Sequence, residues 1–438
     1  MGRRLLLGAA VALVAAAAAL LGGVLAEDPP ASSAAQVRPE AAAAGRLLDG
    51  FSPGDTAVYL ARLENRVEAS PEDAEGLMLL GLAYQQRARE TGDPSFYPRS
   101  ERALQRSLAL APDNDLSVTG LAALAASRHS FGEARQLARR ALELNPFSAA
   151  ALGILGDANV ETGRYRAAFA AFDRAAAIKP TASAYARVSY GRELLGRTDA
   201  AIGAMELAAA AADANPEPAA WARVQLGNLH AESGRLVRAE REYDRALVRL
   251  PGYAPALAGL ARLELWRGRA AESARLYERA LEGQAVPEYA VGLGDAYARL
   301  GHERLAEGAY GRADELERTF AQNGGENRME TALFDLDHDR DLEGALARAR
   351  EARALRPSVE GEHVLAWALF KNGHCEEARA HSVRALRLGT RDWGAMLHRS
   401  LIESCLGNAD AGRAWRDRAL RVNAYALAAF GPLEAHRR

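Results

Sequence analysis

A chain of 438 residues is long enough for two or three compact domains, or for one array that repeats a single unit. Ala, Leu, Arg and Glu dominate while aromatics make up only 6%, a composition that favours helix. A formal charge of −2 with 26% charged residues supplies no positive field to gather nucleic acid or acidic lipid, so nucleic acid is excluded as an expected partner. Lys occurs only at Lys179 and Lys371, which with the Ala runs suggests a GC-rich bacterial genome.

Residues 1–26 carry an export pattern. Arg3 and Arg4 precede an uncharged run from Leu5 to Ala26, and Glu27 and Asp28 follow it at once. Positive charge before the run and negative charge after it predict a cytoplasmic N-terminus and export of everything downstream. Val24 and Ala26 place small residues before a possible cut after Ala26, and the run is also long enough to stay as an anchor, so both fates remain open. No Cys follows the run, which closes the lipoprotein route. The expected location is extracytoplasmic: secreted, periplasmic, or tethered through residues 5–26, with no other membrane contact. Residues 27–50 are rich in Ala, Pro and Ser and read as a flexible linker.

The remainder, 51–438, repeats itself. SVTGLAALAASRHSFGEARQLARRALELNP, ALGILGDANVETGRYRAAFAAFDRAAAIKP and ARVQLGNLHAESGRLVRAEREYDRALVRLP align on their prolines, with a spacing of 34 between Pro146 and Pro180. In one unit Leu155 and Gly156 open a helix, Gly163 breaks it, Ala168, Phe172 and Ala175 recur at helical spacing, and Pro180 stops the second helix. Small residues at Gly156, Ala168 and Ala175 let two helices approach closely, and Phe172 fills the gap between them. The same positions return as Leu226, Gly227, Ala239, Tyr243 and Ala246, and again as Leu293, Gly294, Ala306, Tyr310 and Ala313.

This pattern resembles the tetratricopeptide repeat. The resemblance implies an all-α solenoid, a right-handed superhelix of about ten helix-turn-helix hairpins near 74–112, 115–148, 149–182, 183–216, 220–253, 254–286, 287–320, 326–359, 360–392 and 393–424. A solitary helix near Asp55 to Ala69 is expected to cover the front, and residues after Asn423 the back. ARETGDPSFYPR interrupts the first unit and reads as a longer turn at the edge of the stack.

No motif argues for an enzyme or a cofactor. HERLAE at His302 has the opening pair of a zinc motif but no second His. DLDHDRD, from Asp335 to Asp341, alternates carboxylates like a calcium loop, yet Arg340 stands where the turn needs Gly and Leu346 where the closing Glu belongs. It reads as a solvated turn with Asp341 capping the next helix, and no metal ligands are assigned. His338, His363, His374, His381 and His398 make the last third His-rich, on different faces of the repeats. Cys375 and Cys405 fall on helices that are antiparallel neighbours in such a stack, which makes them a disulfide candidate in an oxidising compartment.

In proteins of this type the first helices line a concave groove. Carried onto this register, the groove positions are Tyr190, Glu193, Trp221, Asn228, Arg262, Trp266, Asp295, Arg299, His363, Trp367 and Phe370. Trp and Arg are typical interface anchors, so the expected function is a scaffold that holds a protein or peptide partner. Asn228 is present but Val224 stands where chaperone-binding members carry Lys, so chaperone tails are not implied. Two rivals remain: a metal- or ligand-handling factor using the His- and Asp-rich final third, and an accessory subunit of an envelope enzyme or export complex.

Overall fold

The computed structural model describes residues 39–49, 55–212 and 216–430. Two units divide the chain, Met1–Ala42 and Ala43–Arg438, and of the first only the opening residues of the helix Pro39–Leu48 are described. The apolar run at Leu5 to Ala26 lies outside the described residues. Among the described residues no helix is long and apolar enough to cross a membrane.

The second unit is an all-α solenoid. Ten hairpins follow one another: Ala74–Thr91 with Phe96–Leu110, Asp115–Ser127 with Phe131–Leu144, Ala149–Glu161 with Tyr165–Ile178, Ala182–Leu194 with Thr198–Ala212, and Pro216–Glu232 with Leu236–Arg249. Then come Ala254–Trp266 with Ala270–Gly283, Pro287–Arg299 with Glu303–Gln322, Arg328–Asp337 with Leu342–Leu355, Val359–Lys371 with Cys375–Ala385, and Trp393–Cys405 with Ala409–Val422. Polar caps start many of the first helices: the side chains of Asn114, Ser148, Thr181, Ser358 and Asp392 each accept the N–H three residues on. Asp341 caps the helix Leu342–Leu355 in the same way.

Within a hairpin the small residues allow contact that larger ones would block. Phe172 and Tyr243 are 1% and 0% exposed, each with its ring against a glycine of the first helix, Gly156 and Gly227, where a Cβ would strike the ring. Ala168, Ala175, Ala239 and Ala246 are buried beside them. Each hairpin then covers the open face of the one before it, so the core runs as a continuous seam.

Two expectations are corrected here. Residues 39–48, read as linker, form a helix because Ala43, Ala44 and Leu47 share one face and bury it with Leu60, Leu63 and Val67 of the helix Thr56–Ala69. The insertion ARETGDPSFYPR is no long turn: it lengthens the two helices of the first hairpin to 18 and 15 residues and leaves only residues 92–95 between them.

The lengthened tip has a partner far along the chain. Ala285 N–H donates to the Thr91 carbonyl at 3.2 Å, and Gln284 Nε2 to that of Arg89 at 2.6 Å. The same relation recurs. Glu326 N–H meets the Arg128 carbonyl at 2.9 Å, Arg356 meets Glu161 at 3.0 Å, Val359 N–H meets the Tyr165 hydroxyl at 2.5 Å, and Asn423 meets the Ala231 carbonyl at 3.2 Å. Side-chain bonds in this set join residues 192 to 195 apart. The superhelix therefore closes on itself after between five and six hairpins, and successive tiers touch. Gly196, at φ 67°, passes so near the Gly389 carbonyl that a Cβ would collide with it. In the second hairpin His129 takes the left-handed turn position instead, at φ 59°, with its Nδ1 2.9 Å from the Glu326 carbonyl oxygen of the next tier.

A disulfide joins Cys375 to Cys405, with Cα atoms 6.3 Å apart, and links the ninth hairpin to the tenth. Its loop of 30 residues predicts that reduction costs about 3–4 kcal/mol. Thermal melts with and without reductant check this, and a melt indifferent to reductant would refute it.

The inner cavity as candidate binding site

Closure of the superhelix turns a groove into a cavity. Its volume is about 1230 Å³, bounded by the inner faces of the first helices and by the tier contacts described above. Tyr190, Glu193, Trp221 and Asn228, four of the expected groove residues, line it. The fourth and fifth hairpins present them because their helices Ala182–Leu194 and Pro216–Glu232 turn the same face inward while Ala184, Ala222 and Leu226 turn to the core.

The other seven expected groove residues are not among those that line this cavity, and each contacts another part of the chain. Arg262 donates to Asn228 Oδ1 at 3.0 Å, lies 3.4 Å from Glu232 and sits 5.3 Å from the Trp266 ring centroid. Trp266 is 7% exposed and meets Trp393 edge-on at 5.8 Å, while Trp393 Nε1 donates to Glu232 at 2.7 Å. Arg299 donates to the Ala428 carbonyl at 3.0 Å. Asp295 accepts the Tyr310 hydroxyl and meets His338 Nε2, both at 2.9 Å. His363 Nε2 lies 2.8 Å from His398 Nδ1, and Phe370 stacks on Trp367 at 5.2 Å. Trp367 itself has no exposed surface.

Sequence reasoning missed most of the wall. Tyr97, Tyr253, Tyr289 and Phe320 add aromatic surface, and Arg89 and Glu317 add charge. They come from the insertion in the first hairpin, from the starts of the sixth and seventh, and from the second helix of the seventh, which runs 20 residues from Glu303 to Gln322. The signal that could have found several of them is the departure from repeat length itself.

The lining is acidic: eight carboxylates face two guanidinium groups. Arg187 is spent on Asp157 at 2.9 Å, Lys179 reaches Asp49 at 2.9 Å, and Arg356 neutralises Glu330 at 2.8 Å. Among the described residues Glu193 has no such partner; burial, with the carboxylates of Glu232 and Asp392, pushes it up to about 7. Burial also pushes Glu317 up to about 7, against a hydrogen bond from Asn327 that favours its charged form and with help from Glu288, Glu330 and Asp314.

The His-rich third is dispersed. His338 serves Asp295, His381 Nδ1 donates to Glu362 at 2.6 Å, and His363 pairs with His398. Glu360, His363 and Asp392 bring three possible ligand atoms within 4.8 Å of one another, with His363 Nδ1 at 3.9 and 4.0 Å from the two carboxylates.

No protein-family model matches the chain, and no curated protein does. Solved structures similar to it include a monomeric IFIT1 mutant with Gppp-AAAA, at 16% identity over 83% of this chain and 76% of that one, TM-score 0.39. The APC/C hetero-tetramer Cut9–Hcn1 matches at 13% over 91% and 96%, TM-score 0.38. A thermophilic tetratricopeptide-repeat protein of Thermus thermophilus matches at 22% over 41% and 92%, TM-score 0.36. With successive helices paired into hairpins, and an aromatic ring seated on a glycine of the opening helix at Gly156–Phe172, Gly227–Tyr243 and Gly294–Tyr310, the described residues form an all-α solenoid of the architecture that tetratricopeptide repeats build.

Proposed function

We propose that the protein is a non-catalytic scaffold that holds a protein or peptide segment in its inner cavity, on the outer side of the cytoplasmic membrane. The observation that carries this reading is the cavity itself, a concave space with Tyr190, Trp221, Tyr253, Tyr289 and Phe320 along its walls. The extracytoplasmic location is supported by the charge order around the run Leu5 to Ala26 and by a disulfide of the kind that persists in oxidising compartments.

The test is capture of partners by the tagged full chain in its own cell envelope, compared with Tyr190→Ala combined with Trp221→Ala. Loss of a defined partner from the double variant, with its circular dichroism unchanged, is the expected outcome. A partner retained by that variant but lost with His363→Ala would favour metal or ligand handling through Glu360, His363 and Asp392 instead. An enzyme or export component among the captured partners would make the scaffold its accessory subunit.

A further inference from the structure

Among the described residues the cavity wall carries more carboxylates than guanidinium groups. Among the described residues the strongest influences on Glu193 and Glu317 are burial and other carboxylates, with the amide of Asn327 bonded to Glu317 at 2.7 Å. Each is half-buried on the inner face, where an unpaired carboxylate is poorly solvated and a cation brought close would be held strongly. The rings of Tyr190, Trp221 and Tyr289 share the same wall, and such faces attract guanidinium and ammonium groups. A polyanion would meet carboxylates throughout, which argues against nucleic acid. A volume of about 1230 Å³ exceeds the roughly 300–1,000 Å³ usual for small ligands and suits a length of polypeptide.

We propose that the cavity takes up a basic segment of a partner protein, arginine or lysine residues alternating with apolar ones, and holds its cations on Glu193 and Glu317. This rests on the reading that the inner cavity is the binding site, and it adds the chemistry of the occupant. Apolar residues of the segment pack on the tyrosine and tryptophan faces while the basic ones reach the two carboxylates.

The experiment uses the full chain and three fluorescent peptides of equal length, in which Arg, Ser or Glu alternates with Leu and Gly, with binding followed by anisotropy at low and high salt. The Arg peptide is expected to bind, more weakly as salt rises, and the Ser and Glu peptides to bind at least about tenfold more weakly. The double variant Glu193→Gln, Glu317→Gln should lose at least about tenfold for the Arg peptide. It keeps an acceptor for Asn327 and relieves two half-buried charges, so its melting temperature should not fall. Glu376→Gln with Glu377→Gln removes the same charge from an exposed helix and should change nothing.

Equal binding of the Ser and Arg peptides, an inner variant that binds like wild type, or an outer variant that loses as much would each overturn the charge assignment. If the Ser peptide binds as well as the Arg peptide and Tyr190→Ala with Trp221→Ala abolishes it, the cavity reading survives and only the inference fails. If neither inner variant affects any peptide, both fail.

Discussion

Trp367→Ala is expected to destabilise the last three hairpins by about 3–5 kcal/mol while leaving the inner cavity's affinity for a partner unchanged per folded molecule. The indole is completely buried, stacked on His398 at 3.7 Å with the planes 4° apart and on Phe370 at 5.2 Å. Leu336, Leu365, Leu401 and Ile402 belong to the same cluster, and Phe430 of the final short helix closes the far side at 6.2 Å. Walls drawn from four helices cannot all collapse into the space left by an indole, so the cavity term should be felt in full. The indole Nε1 also donates to Asp337 at 2.9 Å, and burial already pushes that carboxyl up to about 6, so truncation strands a buried acid as well. Because a long array need not unfold in one step, the loss is best read by hydrogen exchange across residues 328–430 together with urea unfolding. A cost below about 1 kcal/mol, or a selective loss of partner binding, would show that the ring is not core.

Glu362→Ala should cost about 3 kcal/mol at neutral pH, and the cost should vanish in acid. Its side chain is 3% exposed and accepts from Arg353 at 2.8 Å, Arg384 at 2.9 Å and His381 at 2.6 Å, tying the eighth hairpin to the ninth. Burial alone would raise its pKa; the hydrogen bonds from Arg353, Arg384 and His381 overcome that and hold it down to about 2, from an ordinary 4.5. A folded-state value below the unfolded one means the stabilisation is complete above about pH 4.5 and fades as pH falls through about 2. Both arginines are partly exposed, which keeps the cost at the lower end of what breaking a buried pair gives. The stability difference between wild type and variant, measured at neutral pH and again near pH 2, isolates this group from the other carboxylates. A difference that stays constant with pH would refute the assignment.

The helical hairpins were legible because each is written in local chemistry. Pro146, Pro180 and Pro251 follow the ends of second helices, Gly163 and Gly234 mark turns, and the pairs of Gly156 with Phe172 and Gly227 with Tyr243 announce which helices touch. What local chemistry does not carry is pitch. Whether the superhelix stays open or closes depends on a small rotation per hairpin summed over several of them, and the side chains that register the outcome, such as Tyr165 with Val359, lie 194 positions apart. That is why Tyr190, Glu193, Trp221 and Asn228 line the cavity while Trp266 and Arg299 instead meet Trp393 and Ala428 near the end of the described chain. His363, Trp367 and Phe370 were misread for a simpler reason: an aromatic ring on a first helix can serve the next hairpin as readily as a ligand, and here His398 supplied the stacking partner.

Contact between tiers also bears on how the gene can change length. An open solenoid in which each unit meets only its neighbours can gain or lose a unit and keep all other contacts. In this chain, deleting one 34-residue unit between Glu161 and Arg356 would bring a residue one full repeat away opposite the arginine. Every later pairing, from Trp393 with Glu232 to Asn423 with Ala231, would slip out of phase in the same way. Copy number is thus locked by geometry, and drift in length is confined to segments that no tier contact crosses.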